Sequence, residues 1–390
     1  PSLSMDKKQK ISDWAKLNKI PGKIQAVFTA EPEIGGGDWR YASREIKGKR
    51  TLVWEGIPDE PLPENLQKVE EQLGKEHLRI FKKQILQLIF RSNGGGSYGV
   101  LIQASLNTPE QSRSYKVFLD YLQRTHGEIL CAHAVHTKPS FPFDTSSPPE
   151  AMQFTLHKGY GSEYIKFAST ELYFHILDWM PKSKGTYLKL GEKLQEWLHP
   201  AKDDRLLSCH SGAAIESVQL CKSFKDVHCL DAREWAKLSF MQNVQSLHVK
   251  NARFYRDKLD EKWVKKFFAG ELNQGKWTIL LNPPHGELLT QSLTQAIANA
   301  KPERVVHITG DLENAAKEAN RWRSCGYVLR KTLPIEWHPN IRRLELAMLF
   351  VPDRAGLLGR KVPSNRGVAA EGRRGVPKKK ENFAPKFKQK

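Results

Sequence analysis

The sequence predicts an α/β fold in which a mainly parallel, doubly wound sheet follows a smaller α+β module. Two observations lead to this prediction. From residue 205 onward, short apolar runs alternate with segments of helical spacing, and polar residues stand where the runs end. Between residues 66 and 137, the order helix, strand, strand, helix, strand indicates a compact α+β unit instead.

Length and charge narrow the functional classes. The 390 residues suffice for two domains with cores of their own. A formal net charge of +19 predicts a polyanionic partner, and nucleic acid is favoured over an anionic membrane surface. The sequence contains no run of about 18 apolar residues, so it predicts no membrane span. Five cysteines without paired spacing predict reduced thiols in an intracellular compartment and no metal site.

The N-terminal half begins with a predicted basic helix at Lys7–Lys19, and Leu66–Lys83 also has helical spacing. Gln84–Arg91 and Tyr98–Ala104 read as strands. The glycine-rich Ser92–Ser97 between them predicts a hairpin turn, and a phosphate-binding loop is the alternative. The later predicted elements of this half are a helix at Ser112–Arg124, a strand at Ile129–Thr137, strands within Phe154–Phe174 and a helix at Gly191–Leu198.

The C-terminal half alternates strands with helices. The predicted strands are Arg205–Cys209, Val227–Leu230, Val249–Phe254, Trp277–Leu281, Arg304–Ile308 and Leu344–Val351. The predicted helices are Ile215–Lys222, Ala232–Phe240, Leu288–Ala298 and Asp311–Arg323. Because ligands bind at the carboxyl ends of parallel strands, one rim is expected to hold His210–Ala214, Asp231, Asp257 and Asn282–Gly286.

Two patterns at this rim point to chemistry. A small-residue loop at Gly212 followed by Asp231 at the next strand end suits an adenosine-containing cofactor, because the acid can bind ribose hydroxyls. A tight packing turn is the alternative. Asn282-Pro283-Pro284 is typical of nucleic-acid methyltransferases, where the asparagine bonds a nucleobase edge.

The C-terminal tail, residues 354–390, has twelve Lys or Arg and two Glu, a net charge of +10. Such a composition cannot bury a core, which predicts an arm that wraps RNA or, alternatively, a solvated tail. The candidate RNA-binding residues are Arg360, Lys361, Arg373, Arg374, Lys378, Lys379, Lys380, Lys386 and Lys388.

The order of these pieces resembles the RNA uracil-5-methyltransferases of tRNA and ribosomal RNA, over roughly residues 80–352. Pro302–Asp311 lies where the family has P-x-R-[IV]-[VI]-Y-[IV]-S-C-N-P, and Gly326-Tyr327 with Leu344-Glu345 matches its G-Y…H-x-E ending. The resemblance implies a Rossmann-like class I S-adenosylmethionine-dependent methyltransferase fold. The expected division is an N-terminal extension (1–75), an α+β RNA-binding domain (76–180), a methyltransferase-like domain (181–353) and a basic tail (354–390).

The family's catalytic pair is incomplete in this sequence. Its nucleophilic cysteine adds to uracil C6, and that position is Gly310 here, which has no side chain. Glu345 matches the family's general base, with a structural carboxylate near Arg342 or Arg343 as the alternative. Cys209 and Cys325 are not expected to reach the uracil and replace the lost thiol.

The cofactor positions also depart from the family. Asp231 and Asp257 match its ribose and adenine acids, but His210 replaces the first loop glycine, and Asn282 stands where the family has an aspartate. The family's F-Q-x-N loop corresponds to residues 180–183, without its glutamine and asparagine. No bound cofactor is therefore expected, with S-adenosylmethionine as the remaining possibility.

Three hypotheses follow. The favoured one is a catalytically inactive member of this family that binds ribosomal RNA, as a component or assembly factor of a mitochondrial ribosome, together with ribosomal or assembly-factor proteins. The second is an active S-adenosylmethionine-dependent RNA methyltransferase with changed chemistry, for which His285 could stack on a base. The third is a protein–protein scaffold in a ribonucleoprotein.

Overall fold

The computed structural model describes residues 3–17, 23–24, 28–29, 38–56, 60–137, 154–167, 170–181, 183–213, 219–270, 275–284, 287–310, 312–337, 344–354 and 356. The chain divides into two compact units, Pro1–Asp353 and Arg354–Lys390, and every element below lies in the first. The helices in the described ranges are α1 (Leu3–Leu17), α2 (Glu64–Leu73), α3 (Arg79–Gln84), α4 (Pro109–Thr125), α5 (Lys184–Leu198), α6 (Glu234–Ser246), α7 (Glu261–Ala269), α8 (Gln291–Asn299) and α9 (Leu312–Ser324).

The strands run in two large sheets and one short pair. They are β1 (Lys23–Ile24), β2 (Phe28–Thr29), β3 (Asp38–Ile46), β4 (Lys49–Glu55), β5 (Ile85–Ser92), β6 (Tyr98–Ala104), β7 (Ile129–Thr137), β8 (Phe154–Gly161), β9 (Tyr164–Lys166), β10 (Tyr173–His175), β11 (Arg205–Cys209), β12 (Asp226–Leu230), β13 (Ala252–Tyr255), β14 (Trp277–Leu281), β15 (Arg304–Thr309), β16 (Tyr327–Glu336) and β17 (Glu345–Pro352).

The larger sheet has the order β1-β16-β17-β15-β14-β11-β12-β13, and β2 also pairs with β16. The pairs from β15 to β13 are parallel, whereas β17 is antiparallel to both of its neighbours. The strand order reverses between β11 and β14. This strand order confirms the predicted doubly wound architecture. In such a sheet the ligand crevice opens at the carboxyl ends of the two strands where the order reverses.

Each face of this sheet is covered by apolar side chains, as parallel strands require. One face joins a core with α5, α6 and the β9–β10 pair, and it includes Phe174, Tyr187 and Leu206. The opposite face packs against α1, α7, α8 and α9, and its largest fully buried side chain is Trp322. The two layers hold the strand ends rigidly, so the loops at the rim start from fixed positions.

The second sheet has the order β4-β3-β5-β6-β7-β8, and α2, α3 and α4 cover one face through residues such as Phe81, Phe90 and Phe118. The predicted hairpin at 92–97 is confirmed. The Asn93 side-chain oxygen accepts from the backbone N–H groups of Gly95 (2.9 Å) and Ser97 (3.1 Å), and Ser92 Oγ accepts from Gly94. These amides are engaged within the turn, which argues against the phosphate-loop alternative.

Several element boundaries differ from the sequence predictions. The helix predicted over residues 66–83 is interrupted at Gly74 and continues as a 3₁₀ turn and α3. The helix predicted at 191–198 begins at Lys184, because Ser183 Oγ accepts from Thr186 N at 3.2 Å and caps an earlier turn. Residues 215–218 of the helix predicted at 215–222 lie outside the described residues. Helix α7 was not predicted.

The N-terminal segment joins both sheets. Strands β3 and β4 form a hairpin with positive φ at Lys47 and Gly48, and β3 pairs with β5. Strands β1 and β2 pair with β16, and Lys7 of α1 forms a buried ion pair with Glu336. The predicted basic helix is thus part of the folded unit, while the division at residue 75 stays a prediction.

Candidate functional site

A pocket of about 180 Å³ lies at the carboxyl ends of β11 to β14, beside the start of α8. It is smaller than the roughly 300–1,000 Å³ of typical small-molecule sites. Its lining residues are His210, Leu230, Asp231, Ala232, Asp257, Lys258, Leu259, Pro283, Glu287, Leu288, Leu289, Thr290 and Leu293. The structure therefore brings together at one pocket His210, Asp231 and Asp257, which the sequence placed on the rim.

The carboxylate of Asp231 has all of its acceptor positions in use. Its Oδ1 accepts from the backbone N (3.0 Å) and Nε (2.9 Å) of Arg233, and its Oδ2 accepts from Arg233 Nη2 (2.8 Å) and Gly212 N (2.9 Å). Two carboxylate oxygens offer about four lone pairs. In this arrangement no lone pair of Asp231 remains for a ribose hydroxyl.

Arg233 is held by a second buried carboxylate, because its Nη1 lies 3.7 Å from Asp178 Oδ1. Burial would raise the pKa of Asp231, but the hydrogen bonds and charge of Arg233 outweigh it and lower that pKa. Burial raises the pKa of Asp178, and Arg233 only partly opposes the effect. The result is an internal carboxylate–guanidinium–carboxylate cluster directly behind the pocket. Asp178 and Arg233 were not identified from the sequence.

The loop after β11 supplies two more features. Gly212 has φ +53°, a left-handed conformation that glycine adopts at little cost. His210 has φ +54°, in the same region but with a side chain, and that side chain lines the pocket. Burial lowers the pKa of His210 to about 4, so its ring is neutral at pH 7. At the position where the resemblance predicts a glycine, the chain therefore places an imidazole at the pocket.

Asn282 and Asp257, two other predicted site residues, lie at the rim but do not line the same pocket. Asn282 N donates to the carbonyl of Cys209 at 3.2 Å, which ties the Asn-Pro-Pro loop to the end of β11. Asp257 is exposed, and its Oδ1 accepts from Lys258 N at 2.8 Å. Of these two, only Asp257 lines the pocket. His285 lies outside the described residues.

Gly310 and Glu345 are brought next to each other by the sheet. Thr309 pairs with Leu346 in the antiparallel β15–β17 ladder, so the residue that follows β15, Gly310, lies opposite Glu345. Glu345 Oε2 accepts from Trp337 Nε1 at 2.6 Å. The two positions predicted from the sequence for the family's nucleophile and base are therefore adjacent, with a glycine at the first and a hydrogen-bonded carboxylate at the second. Arg342 and Arg343 lie outside the described residues.

The structure places neither Cys209 nor Cys325 as an exposed thiol at the rim. Cys209 is fully buried, and burial raises the pKa of its thiol. Cys325 follows α9, and its Sγ lies 3.4 Å from Gln295 Oε1 on α8. The 13 residues of α9 separate Cys325 from the rim by about 20 Å at 1.5 Å per residue.

A buried polar network behind β15 was not predicted. His307 Nδ1 accepts from Trp322 Nε1 at 3.2 Å, and burial lowers the pKa of His307 to about 3. Glu318 Oε1 accepts from Leu289 N (2.8 Å) and from Arg321 Nη1 (3.3 Å). Burial raises the pKa of Glu318 to about 7. This network fixes the loop that forms one wall of the pocket to helix α9.

The described part of the chain contains no helix that is long and apolar enough to cross a membrane. Among the same residues, no group of three or more His, Cys, Asp or Glu side chains is placed to hold a metal ion. All candidate RNA-binding residues of the tail lie outside the described residues.

Sequence comparison finds relatives among RNA methyltransferases. The 23S rRNA (uracil(1939)-C(5))-methyltransferase RlmD of Photobacterium profundum is 26% identical over 193 residues, 49% of this chain and 40% of that protein. An uncharacterized RNA methyltransferase of Streptococcus pyogenes is 24% identical over 156 residues, 39% of this chain and 32% of that protein. The chain thus spans less than half the length of these relatives. No family model matches it.

Comparison with solved structures finds a methyltransferase of the same fold. The tRNA (uracil-54, C5)-methyltransferase of Pyrococcus abyssi, solved in complex with S-adenosyl-L-homocysteine, superposes with a TM-score of 0.61 at 14% identity. The match covers 87% of this chain and 81% of that protein. The sequence comparison confirms the resemblance to RNA uracil-5-methyltransferases, and the structural comparison confirms the Rossmann-like methyltransferase fold.

Proposed function

We propose that this protein is a catalytically inactive relative of the RNA uracil-5-methyltransferases that binds ribosomal RNA. We further propose that it is a component or an assembly factor of a mitochondrial ribosome, in contact with ribosomal or assembly-factor proteins. Here the methyltransferase fold presents an RNA-binding surface, and the reaction of its relatives is lost.

One observation carries the proposal: a glycine lies opposite Glu345 where a nucleophile is needed. Uracil C5 is a poor nucleophile until a thiolate adds to C6. After C5 has taken the methyl group, the base removes the C5 proton, and the C6–S bond breaks to release the thiolate. Gly310 has no atom that can form the bond to C6. Glu345 has no adduct to deprotonate and instead accepts a hydrogen bond from Trp337.

The pocket supports the same conclusion independently. An S-adenosylmethionine molecule bound in the usual orientation needs the acid after β12 for its ribose, and Arg233 and Gly212 already use that carboxylate completely. The side chain of His210 also projects at the pocket. The residues present therefore do not fit this cofactor in the described arrangement, and no reaction step is assigned to it.

The partner follows from charge. A net charge of +19, with +10 in residues 354–390, favours a polyanion, and the relatives named above act on RNA. Ribosomal RNA is favoured among polyanions because the relative from Photobacterium profundum is named as a 23S rRNA methyltransferase. The mitochondrial assignment rests on the divergence of the sequence and on this charge.

The test is crosslinking of the full chain in cells, followed by sequencing of the bound RNA. We expect enrichment of mitochondrial ribosomal RNA over other RNA classes. The tail variant Lys378→Gln/Lys379→Gln/Lys380→Gln should reduce the yield of crosslinked ribosomal RNA relative to the parent without changing the folded unit. Recovery of no enriched ribosomal RNA would refute the proposal.

A second candidate is an active RNA methyltransferase with changed chemistry. It is favoured by a pocket that is still present at the strand switch point and by Asn282-Pro283-Pro284, which resembles the N-P-P-Tyr motif of amino-methylating enzymes. Calorimetry with S-adenosylmethionine separates the two. Binding together with methyl transfer to RNA supports this candidate, and no heat at millimolar cofactor excludes it. A protein–protein scaffold, the third hypothesis, predicts RNA association that does not depend on salt.

A further inference from the structure

A basic face lies at the β13 edge of the larger sheet. Residues 250–266 contain seven exposed basic side chains against three acidic ones. Among described residues only one of the seven, Arg256, forms an ion pair, with Glu234. The basic residues are Lys250, Arg253, Arg256, Lys258, Lys262, Lys265 and Lys266. We call the surface formed by β13 and α7 the β13–α7 face.

The orientation of α7 is fixed by its apolar side. Val264, Phe267 and Phe268 are buried in the core, and Asp260 Oδ1 caps the helix by accepting from Trp263 N at 2.7 Å. At 3.6 residues per turn, the three lysines of α7 then share the opposite side, which points to solvent. The three lysines therefore form one positively charged ridge, and it stays exposed because the opposite side of α7 is buried in the core.

Two aromatic rings lie beside this ridge. Phe254 packs into the core on one face of the sheet, so its neighbours Arg253 and Tyr255 point to the other face, where α7 lies. The rings of Tyr255 and Trp263 are 5.9 Å apart, and both side chains are only half-buried. Trp263 stacks on Phe267 with 4.8 Å between ring centroids, and Tyr255 stacks on His228 at 5.8 Å, so each ring has only its outer side for a ligand. Exposed cations for phosphates beside a partly exposed aromatic ring for a base are what single-stranded nucleic acid recognises.

We infer that the β13–α7 face binds single-stranded RNA, with its phosphates on Lys262, Lys265 and Lys266 and a base against Trp263. This inference rests on the RNA-binding function proposed above and places a contact within the folded unit. The face continues to the rim, because Lys258 and Leu259 at its edge also line the pocket. An anionic membrane would match the charge as well, and it is one outcome of the test below.

The experiment measures binding of the full chain to a fluorescent oligouridine of about 16 nucleotides, the upper end of known site sizes. The variant is Lys262→Gln/Lys265→Gln/Lys266→Gln. Each lost phosphate contact on a single strand removes about 0.7 from the slope of log K against log salt, so the slope should fall in magnitude by about 2. At 0.1 M salt this change in slope corresponds to RNA binding that is roughly 100-fold weaker for the variant than for the parent.

The matched control neutralises three exposed lysines on other helices, Lys189→Gln/Lys237→Gln/Lys317→Gln, and should keep the parent slope. Ultraviolet crosslinking of the parent to RNA should label the peptide that contains Trp263. Equal binding by the parent and the α7 variant overturns the inference while the proposed function survives. No RNA binding by the parent overturns both. Vesicle binding that depends on these lysines, with RNA binding unchanged, assigns the face to membranes and also overturns the inference.

Discussion

Substituting Arg233 tests the cluster behind the pocket most directly. Arg233→Ala removes both side-chain hydrogen bonds to Asp231 and the cation paired with Asp178, while leaving the two carboxylates buried at 4% and 0% exposure. Breaking a buried charge pair by removing one partner costs about 3–5 kcal/mol, since the remaining charge is uncompensated. We expect the free energy of unfolding at pH 7 to fall by that amount, measured by urea denaturation.

Two further variants calibrate this value. Arg233→Lys keeps the charge but loses the planar fork, so we expect a loss of about 1.5–3 kcal/mol. Arg256→Ala removes an exposed arginine from its ion pair with Glu234 and should cost at most about 1 kcal/mol. If Arg233→Ala is no more destabilising than Arg256→Ala, the assignment of Arg233 as the internal partner of Asp231 is wrong.

The pH dependence gives an independent check. The lowered pKa of Asp231 in the folded protein contributes stability that is present above the ordinary value of 3.8 and is lost as the pH falls. Arg233→Ala abolishes that contribution. The difference in unfolding free energy between the parent and Arg233→Ala should therefore narrow as the pH falls below 3.8. A difference that is constant with pH contradicts an electrostatic origin.

Three more predictions concern the site and its supports. Gly310→Cys alone should not produce 5-methyluridine in RNA by mass spectrometry, because His210, Asn282 and Pro181 also depart from the family and Arg233 engages Asp231. Methylation by this variant would show that the rest of the site is intact. Burial raises the pKa of Glu318 in the folded protein, so the stability that its bound proton contributes should be complete below pH 4.5 and be lost as the pH rises through about 7. Glu318→Gln should therefore flatten this part of the plot of unfolding free energy against pH. A plot that is the same for the parent and the variant contradicts the role of burial. Ser183→Ala should lower the free energy of unfolding by about 0.5–2 kcal/mol by uncapping α5, and Ser324→Ala, in an exposed helix end, serves as the control.

Local pattern was enough to predict most of the fold. β-branched and apolar runs locate β6, β7, β11, β14 and β15 within a residue or two, because a buried parallel strand must be apolar on both faces. The β3–β4 hairpin was missed because its turn is Lys47-Gly48, which lacks the usual asparagine or aspartate before glycine. Helix α7 was missed because its lysines mask a narrow apolar stripe.

The sequence by itself determined that position 310 offers no nucleophilic side chain, since a glycine has none in any conformation. It also determined the rim, because strand ends of a parallel sheet meet at one edge. Only the tertiary structure decided which groups bind the acid at that rim. Asp178 and Arg233 are 55 residues apart in the chain, and nothing in local sequence indicates that folding places both beside Asp231. The state of a buried carboxylate depends on such distant partners, and these exist only once the core has packed.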